Sequence, residues 1–264
     1  MSDGMEVKRY FIFLAYKGTH YCGWQIQPNG ISIQQCIEEA LSTVLRQATT
    51  VTGAGRTDAG VHARMMVAHF DVSLDGMATL SDDHAITNRL NNLLPNDIAV
   101  DKIVPVTNDA HARFDALSRT YIYMLTDRKN PFHYETVCRM PLRSVNFEKM
   151  NDACAVLYDY SDFTSFSKLH SDVKTHHCRI FEAGWTQSED VWIFTIKADR
   201  FLRNMVRAIV GTLLDVGREK LTINDLKNII EAKNRCKAGM SIAPEGLALA
   251  GIDYPDHIFI SKKM

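Results

Sequence analysis

Gly53-Ala54-Gly55-Arg56-Thr57-Asp58-Ala59-Gly60-Val61-His62-Ala63 is the stretch around which this 264-residue chain is organised. Three glycines within eight residues mark a backbone that bends sharply, takes positive φ, or lets another group come close. Between them sit Arg56, Thr57 and Asp58, and apolar runs flank the whole: Leu41 to Leu45 before it, Met65 to Phe70 after it. A buried scaffold is therefore expected to hold a tight loop that presents one arginine and one carboxylate, a design common where chemistry occurs. A plainer account exists, since Asp in glycine-rich turns often only closes an Asx-turn on nearby N–H groups. A phosphate-cradling loop does not fit, because there is no Gly-Lys-Ser/Thr ending and the glycine spacing is not a dinucleotide fingerprint.

The flanking segments predict alternating strands and helices. Tyr10 to Tyr16 reads as a strand buried on both faces. Ser32 with Gln35 has the form of a capping box opening a helix with the stripe Ile33, Cys36, Ile37, Ala40, Leu41, Val44, Leu45. Strands are expected over Val67 to Val72 and Ile98 to Val106, with a helical stripe Ile86, Leu90, Leu93, Leu94 between them. Pro105 marks an edge or a strand end. The plan then repeats: a strand over Tyr121 to Leu125, a helix capped by Asn146, and strands near Ile180 to Trp185 and Val191 to Ala198. A long helix follows from about Phe201 to Val216, closed by Gly217, and another starts at Thr222 with Asp225. Both halves read β-α-β-α-β, which predicts an α+β protein of two similar ferredoxin-like lobes, 1–112 and 113–264.

At 46% hydrophobic and 23% charged, the composition is that of ordinary globular material. No apolar run is long enough to span a membrane and Met1 to Arg9 lacks an apolar leader core, so a cytoplasmic protein is expected. Net charge is −1, which argues against a nonspecific nucleic-acid binder but leaves room for a local basic cleft. Arg113, Arg119, Lys168, Lys174, Arg179, Arg200, Arg203 and Arg207 crowd the middle and later chain, whereas acids gather at Glu38-Glu39, Asp82-Asp83 and Asp253 with Asp256. Six scattered cysteines form no Cys-x-x-Cys pair. Cys36 and Cys154 fall on apolar stripes as core thiols. His176-His177-Cys178 is a poor metal set, because neighbours on a strand face opposite ways. No metal is expected.

Gly55 to Ala63 resembles the signature of the tRNA pseudouridine synthase A family, nine contiguous residues with few substitutable positions, and further matches run from Tyr16 to Tyr254. The resemblance implies two lobes fused through a central antiparallel sheet with the active cleft between them. It also implies a cofactor-free isomerase, a homodimer, that converts uridine to pseudouridine at positions 38, 39 and 40 of the tRNA anticodon arm. In this reading Asp58 is the essential aspartate. A free Asp titrates near ~3.9 and a neighbouring cation lowers that by roughly 1–3 units; the resemblance of Asn204-Met205-Val206-Arg207 to a family helix motif makes Arg207 that cation. Tyr121, in Arg113-Phe114-Asp115-Ala116-Leu117-Ser118-Arg119-Thr120-Tyr121, corresponds to the residue that stacks on the flipped uridine. Tyr121 and Tyr123 alternate onto one face and would serve equally as plain core. Arg56 corresponds to the residue that enters the space the base vacates, and Leu247, after Gly246, to the one that packs on the base. Trp24, in Gly23-Trp24-Gln25, is expected as a core plug. Two positions depart from the family pattern: Lys17, where members carry Asp, and Arg64-Met65-Met66, where a Gly-Gln-Val-like strand start is usual. The second bears on which uridine is chosen.

Overall fold

The computed structural model describes residues 7–73, 83–168 and 175–260. Lys174, Asp82 and residues 1–6, which entered the charge and leader arguments, lie outside these. The described residues fall into two compact units, one within Met1–Leu117 and Ala250–Met264, the other within Ser118–Leu249. Both mix helices with mainly antiparallel strands, the α+β class read from the pattern.

The first unit contains β1 (Val7–Tyr16), α1 (Ile33–Leu45), β2 (Thr52–Gly53), β3 (His62–Ser73), α2 (Asp83–Leu93) and β4 (Ile98–Pro105). β1 runs antiparallel to both β3 and β4, and β2 pairs with β3 at Gly53↔Ala68, giving the order β4-β1-β3-β2. Five successive β1 residues, Tyr10 to Leu14, are buried. Double-sided burial is possible because the returning C-terminal segment supplies Tyr254 and Phe259, whose rings meet Phe11 edge-on at 5.1 and 6.2 Å. α1 buries Ile33, Ile37, Ala40, Leu41, Val44 and Leu45. At roughly 1.5–3 kcal/mol per large aliphatic side chain, that stripe outweighs any cap. The cap itself is half a box: Ser32 Oγ accepts the Gln35 N–H, but the Gln35 amide donates to Glu39 instead of returning to Ser32. Cys36 is half-buried, not a core thiol, whereas Cys154 is buried.

The second unit contains β5 (Ser118–Thr126), β6 (Cys138–Arg139), α3 (Phe147–Val156), β7 (Ile180–Ser188), β8 (Val191–Ala198), α4 (Met205–Gly217), α5 (Ile223–Glu231) and the opening residues of β9 (Leu247–Asp253). The strand order is β9-β5-β8-β7, with β6 parallel to the end of β5. Asn146 and Thr222 cap α3 and α5 as expected, Thr222 with a complete box through Asp225. α4 differs from the expectation at both ends. It starts at Met205, because Asn204 sits in the left-handed region at φ 66° and its amide donates to Ser241 Oγ. Arg203 therefore precedes the helix and shares no helical face with Arg207. At the far end Gly217 is still helical, and Glu219 takes the left-handed position at φ 60°. β6 and β9 were not anticipated: one is two residues long, and the Ala and Gly of the other have weak strand propensity. Among the described residues, no helix is long and apolar enough to cross a membrane.

Candidate active site

The glycine-rich stretch is the connection between β2 and β3. Its N-terminal end is pinned by Ala54 N–H on the Val67 carbonyl at 2.8 Å, and its C-terminal end enters β3 at His62. Between these anchors the loop is gripped by the segment that follows β1. The buried Thr57 hydroxyl shares a 2.9 Å hydrogen bond with the Tyr16 phenol. The Trp24 N–H donates to the Thr57 carbonyl at 3.2 Å. His62 Nδ1 accepts the Gly18 N–H at 2.9 Å, which fixes the neutral ring's remaining proton on Nε2. Three glycines are required by close approach, the tightest being Gly18, whose Cβ would lie 2.1 Å from the Val61 oxygen. A Cβ on Gly53 would lie 2.6 Å from the Trp24 ring, and one on Gly23, at φ 103°, would lie 2.4 Å from the Thr57 oxygen. Trp24 is thus a core plug, as expected, and what it plugs is the back of the loop. In turn its carbonyl accepts the Gln34 N–H at the start of α1.

This grip leaves Asp58 half-buried and Arg56 exposed, on either side of the buried Thr57. The Asp58 carbonyl accepts the Val61 N–H at 3.2 Å, and Gly60 takes φ 76°, so the turn is closed by backbone.

Tyr121, Arg207 and Leu247 belong to the second unit. Tyr121 lies on β5 opposite Ile196 of β8, half-buried, with the Phe201 ring edge-on at 5.1 Å and 85°. Arg207 is half-buried on the first turns of α4, and its Nε donates to the Ile242 carbonyl at 2.6 Å. Tyr123, two residues along β5 from Tyr121 and on the same face, is fully buried and donates its hydroxyl to the Ala243 carbonyl at 2.7 Å. Burial pushes its phenol well above the ordinary range, with Cys138 contributing and Arg207 opposing, so it stays a neutral donor. Gly246 packs straight onto the Tyr123 ring, and Leu247 follows, buried. The structure therefore gathers Arg207, Tyr123 and the 242–247 segment into one hydrogen-bonded group. Phe201 and Tyr123 were not singled out from the sequence as partners of this group. A tyrosine two positions after Tyr121 was visible, but nothing in the pattern said which carbonyl it would reach.

Of the histidine–cysteine run, His176 is half-buried, His177 exposed and bonded to Ser161, and Cys178 buried with its thiol pushed up to about 12, chiefly by burial. The first unit thus presents a carboxylate beside an arginine, and the second a guanidinium group among aromatic rings; carboxylates serve acid–base or nucleophilic chemistry, and aromatic rings stack on bases.

Comparison with known proteins supplies the context. The family model for tRNA pseudouridine synthase matches residues 12–115 and 155–255. A tRNA pseudouridine synthase A of Parabacteroides distasonis is 58% identical over 253 residues, covering 96% of this chain and 98% of the relative. The enzyme of the same name from Bacteroides fragilis is 58% identical over 97% of this chain and 100% of its own length. A more distant one from Geobacter sp. is 39% identical over 93% and 98%. A match of that extent, carried through the Asp58 loop and the 242–247 segment alike, means that this chain belongs to the tRNA pseudouridine synthase family.

Proposed function

We propose that this protein isomerises uridine to pseudouridine in the anticodon arm of tRNA, at positions 38, 39 and 40, with Asp58 as the essential carboxylate and without a cofactor. The observation that carries the reading is the Asp58 loop. Tyr16, Gly18, Gly23 and Trp24 hold the loop's backbone, and the half-buried carboxylate lies two residues from an exposed arginine. The reaction breaks the bond between N1 and the ribose, turns the base, and joins C5 to the same carbon; C5 then gives up its proton and N1 takes one up. No electrons enter or leave, so one rigidly held carboxylate and a pocket that retains the freed base suffice.

The remaining residues take the roles that the family resemblance gives them. Extruding a uridine from a stem costs a few kcal/mol, recovered by stacking; Tyr121, braced by Phe201, offers the ring for it. Leu247 packs on the base, and Arg56, exposed, fills the space left in the stem. By the same resemblance, Arg207 is the cation that partners the reacting carboxylate. The strand orders β4-β1-β3-β2 and β9-β5-β8-β7 support two ferredoxin-like lobes. Assembly as a cytoplasmic homodimer, spanning the L-shaped RNA, completes the proposal.

The test is Asp58→Ala. Pseudouridine, read by carbodiimide labelling and reverse-transcription stops, should vanish at all three positions while tRNA binding survives. Modification continuing at the unsubstituted rate refutes the assignment. Absence of turnover in the unsubstituted protein, with binding intact, would leave a tRNA-binding protein in its place.

A further inference from the structure

The segment from Asn234 to Ile242 lies along the helix that carries Arg207. Gly239 N–H donates to Thr212 Oγ1 at 2.9 Å. One residue on, the Met240 carbonyl lies so close to the helix that a Cβ at Gly211 would overlap it. Ile242 N–H then donates to the Arg207 carbonyl at 3.2 Å, and the Ile242 carbonyl takes the Arg207 Nε. Gly211 and Arg207 are four apart and so lie on one face of α4. The segment is a strap laid on that face, running from Thr212 back to Arg207 and on to the carbonyl that anchors Tyr123.

One side chain ties the strap's beginning together. Arg235 sends Nη1 to the carbonyls of Ala238 and Gly239, at 3.4 and 3.1 Å, and Nη2 to Ser241 Oγ at 2.8 Å. Ser241 also accepts the amide of Asn204, the residue that starts α4. The base of the strap is fixed independently: Asn234 N–H donates to Ser165 Oγ, which donates to the Ile229 carbonyl in the core. The rigid guanidinium fork holds three acceptors at fixed spacing, which a lysine's single ammonium does not reproduce.

We infer that Arg235 is a positioning residue for the reaction, acting through the 238–242 strap to hold the guanidinium of Arg207 in place. This rests on the role given to Arg207 above. Without the clamp, the strap is held on α4 by the Gly239 and Ile242 N–H bonds alone, so the Ile242 carbonyl is less firmly placed, and the Arg207 Nε with it.

The experiment is a double-mutant cycle on full-length protein with tRNA transcript, under single-turnover conditions with excess enzyme. Arg235→Ala should lower the rate of pseudouridine formation about tenfold, leave the tRNA Kd unchanged, and recover rate with added guanidinium. Arg235→Lys should fall between. In an Arg207→Ala background, Arg235→Ala should cost nothing further, because the group it positions is gone. An unchanged rate in Arg235→Ala, or a full tenfold loss persisting in the Arg207→Ala background, overturns the inference. An unsubstituted rate in Arg207→Ala alone would instead overturn the role of Arg207. Should Arg235→Ala not fold, the lysine variant decides by the same cycle.

Discussion

Gly23→Ala tests the grip on the Asp58 loop with one methyl group. The new Cβ would sit 2.4 Å from the Thr57 oxygen, where ordinary contact begins at 3.4 Å. Interiors this closely packed have no slack, so the Thr57–Asp58 peptide must retreat by about 1 Å. The φ of 103° adds strain of order 1–3 kcal/mol for any L side chain. A reacting group displaced by ~1 Å costs roughly 100-fold in rate. The expected outcome is therefore a ~100-fold fall in single-turnover pseudouridine formation, with the tRNA Kd unchanged and Tm lowered by about 2–4 °C per kcal/mol. Gly55→Ala is the control from inside the same loop. Nothing lies within 4 Å of its Cβ position, so its stability should stay within about 0.5 kcal/mol of the unsubstituted protein. A Gly23→Ala protein that turns over at full rate, or a Gly55→Ala protein destabilised as much, would refute the reasoning.

Other expectations concern the surrounding scaffold. Tyr123→Phe leaves the Ala243 carbonyl without its 2.7 Å donor and should cost ~1–3 kcal/mol in chemical denaturation; unchanged stability would mean that this carbonyl finds another partner. His69 is held at about 4, by burial first and the Arg9 charge second, and its Nδ1 accepts the Ala112 N–H at 3.2 Å. Its folded value lies below the unfolded ~6.5, so the unfolded chain takes up the extra proton. Stability should thus fall as pH drops from 6.5 through 4, by up to about 3 kcal/mol. Denaturation curves across that window, with the His69 ring followed by NMR, check both the sign and the residue. The Arg9–Asp71 pair, two bonds at 2.7 and 2.8 Å on a partly exposed surface, should contribute no more than ~1 kcal/mol on Asp71→Asn.

The residue pattern by itself determined the class of the protein and most of its elements. Continuous apolar runs such as Tyr10 to Leu14, helical stripes such as Ile33 to Leu45, and caps such as Thr222 with Asp225 depend on neighbours a few residues away, and short-range periodicity reports them directly. The glycine-rich stretch likewise announced a strained loop with a carboxylate, and its nine contiguous residues were enough to identify the family. What tertiary structure decided was the use of the residues around it. Tyr16, Gly18, Gly23 and Trp24 look in sequence like a strand end and a loose turn; in three dimensions they are the mould of the Asp58 loop, through contacts that span 30 to 45 residues. The start of α4 at Met205, the reach of Tyr123 to Ala243, and the clamp of Arg235 on the strap beside Arg207 were equally invisible. Each depends on a hydrogen bond or close approach whose partner is chosen by packing, and packing couples residues that no local period connects.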